Sequence, residues 1–173
     1  MFEHSRIAPK DPSAALPRFT IASIDDTSIE LEAQYNPKEL QYDHPVSWHA
    51  KQGDDVQYAG SEGRCLTVEL FFDGFETSTS VVPQCDLLEM LATVIDPDSR
   101  DLDKHRPHYC LVTWGDPRGV PALRCVIENV STKFTMFSRV GTPLRATCTV
   151  KLKEAEVLSK KAKAARDKNR RTS

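Results

Sequence analysis

From Phe19 onward the apolar residues fall at every second position. Phe19, Ile21 and Ser23 alternate with Thr20, Ala22 and Ile24 until Asp25-Asp26 supplies a turn. Ile29, Leu31, Ala33 and Tyr35 then alternate with Glu30, Glu32 and Gln34, which predicts a strand with one buried face and one wet face. Asn36-Pro37 stops it. The clearest strand spans 65–72, where Leu66, Val68, Leu70 and Phe72 alternate with Thr67, Glu69 and Phe71. Asp73-Gly74 breaks that one, and Thr77-Ser78-Thr79-Ser80 reads as a polar loop. Further strands are expected at 109–114, 123–130, 132–137 and 144–152, with Gly115-Asp116-Pro117 and Gly141-Thr142-Pro143 as turns. The stretch 40–58 is weaker. Leu40, Tyr42, Val46, Trp48 and Val56 stand sparsely among polar residues, which fits either a long exposed hairpin or an arm.

One segment switches to helical period. Pro83 sits where a first-turn proline belongs, and Leu87, Leu88, Leu91 and Ile95 form a stripe at spacings of three and four. Asp96-Pro97-Asp98 ends it. Seven or eight strands with connecting turns and one helix describe a mainly β fold, an antiparallel barrel or sandwich with an inserted helix over its open end or flank. Residues 1–17, with Pro9, Pro12 and Pro17, read as an extended N-terminal arm. The domain is expected over 18–154. Residues 155–173, rich in Ala and Lys without an apolar stripe, read as a basic tail, either a solvated helix or a disordered extension that orders on a partner.

Composition narrows the class. At 173 residues, 39% hydrophobic and 28% charged, the chain can bury a core beneath a polar surface. No run approaches the roughly 18 apolar residues of a membrane-spanning helix, and the N-terminus lacks the layout of a secretory signal. A cytoplasmically made protein is therefore expected. The net charge of -2 hides an asymmetry. Residues 151–173 hold nine basic and three acidic groups, so this end carries +6 and the body -8. An acidic body argues against a nucleic-acid-binding fold. The tail, with Lys160, Lys161, Lys163, Arg166, Arg170 and Arg171, is suited to phosphate, a lipid surface or an acidic neighbouring subunit.

Candidate chemistry is thin. The five cysteines, Cys65, Cys85, Cys110, Cys125 and Cys148, are odd in number and show no CxxC spacing, so they read as structural thiols in a reducing compartment. Cys110 with His105 or His108 is the only nucleophile–base grouping to weigh. It lies on an apolar alternation without a Gly-x-Ser-x-Gly elbow, so a core cysteine and two loop histidines are expected. His105, His108, Asp101 and Asp103 could be assembled into a metal site. The acids from Asp96 onward, however, lack the Gly at six and the Glu at twelve of a calcium loop. Gly60 and Gly63 precede a strand rather than a helix, which removes the dipole that a phosphate cradle uses. No catalytic residue, metal or cofactor is expected. Trp114 is placed in the core or at a barrel rim. Trp48 either contacts another chain or packs back on its own barrel.

Several segments, in order, resemble a known family. Tyr35-Asn36-Pro37-Lys38-Glu39 is similar to the Phe/Tyr-Asn-Pro-x-Glu step after the second strand of the tube-type domain of contractile injection systems. That domain typically begins their LysM-bearing baseplate proteins. The segment from Gly60-Ser61-Glu62-Gly63-Arg64 to Phe71-Phe72-Asp73 resembles its glycine pair, Arg and strand ending in Phe-Phe-Asp. Asp96-Pro97, Val112-Thr113-Trp114-Gly115, Val126-Ile127-Glu128-Asn129-Val130-Ser131, Phe134-Thr135-Met136-Phe137 and Gly141-Thr142-Pro143-Leu144-Arg145-Ala146 follow in order. The resemblance spans about 19–154, and longer relatives continue into a LysM domain that residues 155–173 do not resemble.

The resemblance implies a phage-tail-tube-like β-barrel assembled as a hexameric ring. Such a ring joins the spike and baseplate hub to the inner tube and starts tube assembly inside a phage tail-like particle. Its implied partners are further copies of itself, the inner tube protein, the spike protein and other baseplate proteins, with no small-molecule substrate. The expected contact residues are Trp48 and Tyr58 on the arm, Arg64, Phe71, and Phe75 in the loop 73–82. Arg64 either pairs with an acid across a subunit seam or forms an ordinary surface salt bridge. The rival reading is a small binding module that acts through its basic tail on nucleic acid or an anionic surface.

Overall fold

The computed structural model describes residues 17–50, 55–101, 104–115 and 120–155, without the side chain of Ser61. The expected arm, apart from Pro17, and the tail from residue 156 lie outside the described residues. In chain order the elements are β1 (Thr20–Ser23), β2 (Glu30–Glu32), β3 (Leu40–Asp43), β4 (Val46–Ala50), β5 (Val56–Ser61), β6 (Cys65–Asp73), α1 (Val82–Ala92), β7 (Cys110–Trp114), β8 (Val120–Phe137) and β9 (Pro143–Glu154). Seven strands form one antiparallel sheet in the order β2-β1-β7-β8-β9-β6-β3, curled into a half-barrel. Strands β4 and β5 pair only with each other. The mainly antiparallel β architecture is borne out, with a single helix among the described residues.

The alternation read from the sequence becomes rows across the sheet. Leu66 of β6 stands opposite Leu152 of β9, which faces Ile127 of β8; Val68, Val150 and Val130 form the next row. Leu70 then meets Cys148, and Phe72 meets Ala146. These side chains are buried or packed on the core. Each large one contributes about 1.5–3 kcal/mol by leaving water. The opposite face carries Thr67, Glu69, Thr147, Thr149 and Lys151. Helix α1 turns Cys85, Leu87, Leu88 and Leu91 inward and packs against β8, β2 and β9.

Three expectations change. The segments 123–130 and 132–137 are one strand, β8, 18 residues long. Register irregularities at Ile127/Asn129 and near Met136 shift its alternation without ending the strand, so the sequence period breaks while the backbone continues. The helix stops at Ala92 because Thr93 is extended. Ile95 leaves the helical stripe and donates its N–H to the Arg106 carbonyl at 3.0 Å. Residues 40–58 divide: β3 joins the main sheet beside β6, and the rest supplies β4 and the first half of β5.

Candidate assembly interface

The β4–β5 hairpin has almost no interior. Every residue of β4 is exposed, and along β5 only Gly60 is less than exposed among the described side chains. Val46, Trp48 and Ala50 alternate onto one face, joined there by Val56 and Tyr58 across the ladder. The Trp48 and Tyr58 rings meet edge to face at 5.6 Å, yet each stays more than half exposed, at 57% and 56%. An isolated two-stranded hairpin is at best marginally stable in water. This one therefore displays an apolar face that the other described residues do not cover.

Where the hairpin returns to the sheet, Arg64 and Glu154 form a clasp. The Glu154 carboxylate accepts the Arg64 backbone N–H at 3.1 Å and its guanidinium Nε and Nη2 at 3.2 and 3.0 Å. The Glu154 N–H donates in turn to the Arg64 carbonyl at 2.8 Å. Gly63 permits this approach: a Cβ there would stand 2.7 Å from the Glu154 carbonyl oxygen. The guanidinium holds the Glu154 carboxyl below its ordinary range, against a smaller opposing effect of burial.

At the other end of β6, polar hydrogen bonds carry a second aromatic surface. Gln34, which is buried, accepts the Asp73 N–H and donates to the Asp73 carbonyl, both at 2.8 Å. The Asp73 carboxylate accepts the Phe75 N–H at 2.9 Å and pairs with Arg145 at 3.0 Å. Tyr35 packs on Phe71 at 5.7 Å, and the Arg145 guanidinium lies 5.7 Å from the Phe75 ring centre. Asn36 ties the preceding turn down, accepting the Phe19 N–H at 2.9 Å and donating to the Pro17 carbonyl at 3.1 Å. Phe71 and Phe75 are both exposed there.

The structure thus brings Trp48 together with Tyr58, while at the other end of β6 Phe71 packs on Tyr35 and Phe75 lies by Arg145. Arg64 is engaged by an acid of its own chain. Lys160, Lys161, Lys163, Arg166, Arg170 and Arg171 lie outside the described residues. Sequence reasoning missed Gln34 and Glu154 as partners, since they act on residues 39 and 90 positions away. Gln34 falls among the positions expected on the wet face of its strand, yet the structure buries it, and neither residue has a local signal in the sequence.

Among the described residues, which do not include Asp103, the nucleophile and metal groupings do not come together. His105 contacts the Pro97 carbonyl at 2.7 Å through Nε2, whereas His108 is buried against Ser23 at 2.8 Å through Nδ1. Burial pushes the Cys110 thiol up to about 12, and its S–H points at the His108 carbonyl. Among the described residues no three His, Cys, Asp or Glu side chains gather in a metal-binding group, and no helix is long and apolar enough to cross a membrane. Trp114 stacks edge-on against Phe19 at 6.2 Å.

A curled antiparallel sheet with one packed helix and uncovered apolar surfaces suits a subunit that is completed by its neighbours. The family model of contractile injection system tube proteins matches residues 16–163. The chain belongs to that family. No curated protein matches it. As a contractile injection system tube protein it has a structural role, in assembly with other components of that system. The matched span includes both aromatic surfaces and every described strand of the tube fold.

Proposed function

We propose that this tube protein forms a hexameric ring at the junction between the spike-bearing baseplate hub and the inner tube, and that the ring initiates tube assembly. The β4–β5 hairpin carries the proposal. Its apolar face, with Trp48 and Tyr58 at the centre, has no covering among the described residues, and exposed aromatic anchors are what subunit contacts use. Phe71 and Phe75 at the far end of β6 give a second, different surface. Two unlike surfaces on one subunit favour head-to-tail contacts, which close into a ring when the rotation permits. Strand edges add to this, because β8 continues past the residues that β7 pairs with. Arg64, held by Glu154, shapes the base of the hairpin.

The partners of the ring are the inner tube protein, the spike protein and other baseplate proteins, with the basic tail docking on an acidic neighbour. The chain is made in the cytoplasm and acts without catalysis, metal or cofactor. To test this, the chain is tagged in its host, the high-mass fraction is sedimented, and particles are imaged with and without the gene. Tagged contractile particles that fail to assemble without the gene support the reading; a tag confined along the tube shaft, or normal particles without the gene, overturns it. Trp48→Ala/Tyr58→Ala is expected to stop incorporation while the purified chain keeps its melting temperature within about 2 °C, since exposed substitutions change stability little.

A further inference from the structure

Cys85 near the start of α1 and Cys148 in the middle of β9 face each other in the core. Their sulfurs stand 3.6 Å apart, and both residues are buried. Thr132 of β8 places its hydroxyl 3.5 Å from the Cys148 sulfur. The pair therefore sits where the helix, β8 and β9 meet. From this contact we propose that Cys85 and Cys148 are a disulfide-forming site, closed by a hydroperoxide-class oxidant, which staples α1 to the sheet.

The geometry asks for little movement. A disulfide requires about 2.05 Å between sulfurs, so from 3.6 Å the two must close by about 1.5 Å. The chemistry balances in two steps. The Cys148 thiolate attacks the peroxide, the O–O bond breaks, the leaving oxygen takes up the proton that the thiol gave on ionising and departs as alcohol or water, and Cys148 becomes a sulfenic acid, oxidised by two electrons. The Cys85 sulfur then attacks the Cys148 sulfur; the S–O bond breaks, and hydroxide departs with the Cys85 proton as water. The Thr132 hydroxyl, 3.5 Å from its sulfur, favours Cys148 as the first to ionise. The contact with Cys85 and then the Thr132 hydroxyl lower the Cys148 thiol against the opposing effect of burial, while the same contact and burial raise that of Cys85.

Cys110 and Cys125 offer an internal comparison. They stand directly opposite across β7 and β8 and are equally buried, but the Cys125 S–H is directed at the Cys110 carbonyl, 3.7 Å away, rather than at its sulfur. Burial raises both thiols. Reaction is thus expected at one pair and not the other.

Linking positions 63 residues apart restricts the unfolded chain considerably. The oxidised protein is expected to melt on the order of 10 °C higher than the reduced one, as an upper bound from loop-closure entropy. The purified full chain is treated with hydrogen peroxide, quenched, alkylated under denaturing conditions and digested without reduction. The expected result is a linked peptide pair containing Cys85 and Cys148, a loss of 2 Da, and a raised melting temperature reversed by a phosphine reductant. Full alkylation of both residues after peroxide treatment, or a link to Cys110 or Cys125 in their place, overturns the proposal. Cys85→Ser should abolish the link and the shift, whereas Cys110→Ser should retain both. Because the linkage is read in the wild-type chain, a variant that fails to fold does not decide the outcome.

Discussion

Replacing Glu154 tests whether the last turn of β9 is held by charge. In Glu154→Gln the side chain keeps its length and one oxygen that can accept the Arg64 N–H. It loses the negative charge that receives Nε at 3.2 Å and Nη2 at 3.0 Å. Hydrogen bonds to a charged group contribute about 1.5–3 kcal/mol when well shielded, and exposed ion pairs about 0.2–1 kcal/mol. Here the Glu154 side chain is 11% exposed and that of Arg64 is 39% exposed, so the solvent screens one partner only. A loss of about 1–2 kcal/mol follows, or about 3–6 °C in melting temperature for a domain of this size. Glu154→Ala should cost more, because the Arg64 backbone N–H then loses its side-chain acceptor.

The pH dependence gives the sharper check. A carboxyl held below its ordinary 4.5 stabilises the folded chain above that value. The contribution disappears as pH falls through the lowered folded-state value, since both states are then protonated. Urea unfolding of the wild type and Glu154→Gln at pH 7 and again near pH 3.5 should therefore show a gap that narrows with acid. An Arg64→Ala/Glu154→Gln double variant should fall short of the sum of the single losses. A gap that stays the same at both pH values refutes the electrostatic account, and additive losses refute the pairing.

Two other perturbations bear on the core and the domain limit. Leu70→Ala removes a side chain only 1% exposed, between Cys148 across the ladder and the rest of the buried face, and should cost about 2–5 kcal/mol by denaturant unfolding. Deleting 155–173 should leave the melting transition within about 2 °C, because β9 ends at Glu154; an unfolded product would place the end of the domain further along the chain.

Much of the fold was legible because one face of each long strand is buried. At β6 and β9 the core demands an apolar side chain at every second position, so period two appears directly in the sequence. Helix α1 was legible for the same reason at period 3.6, but its end was not. Ile95 continues the stripe by spacing while its N–H bonds Arg106, so a tertiary contact decided where the helix stops. β8 was split in two because its irregularities reverse the facing of residues within a continuous ladder. The clasp of Arg64 with Glu154 and the support of Asp73 by Gln34 were hidden by sequence separation. Neither has a local pattern.

The hairpin was the weakest segment in the sequence, and its physical cause is also its meaning. Alternation is clear when one face of a strand meets its own core; among the described residues β4 and β5 meet none, so no burial there constrains their pattern. Their apolar face is nevertheless organised. Trp48 and Tyr58 stack across a defined register, and Val46, Ala50 and Val56 stand on the same side. A solvated hairpin gains nothing from gathering apolar groups on one face, and large aromatics exposed there invite indiscriminate association. Organisation without intrachain burial makes sense when the missing half of the packing comes from another subunit. Local rules and the isolated fold part company here, as they do at functional surfaces. In a family built to assemble, the faintest part of the sequence pattern is thus the part most directly concerned with assembly.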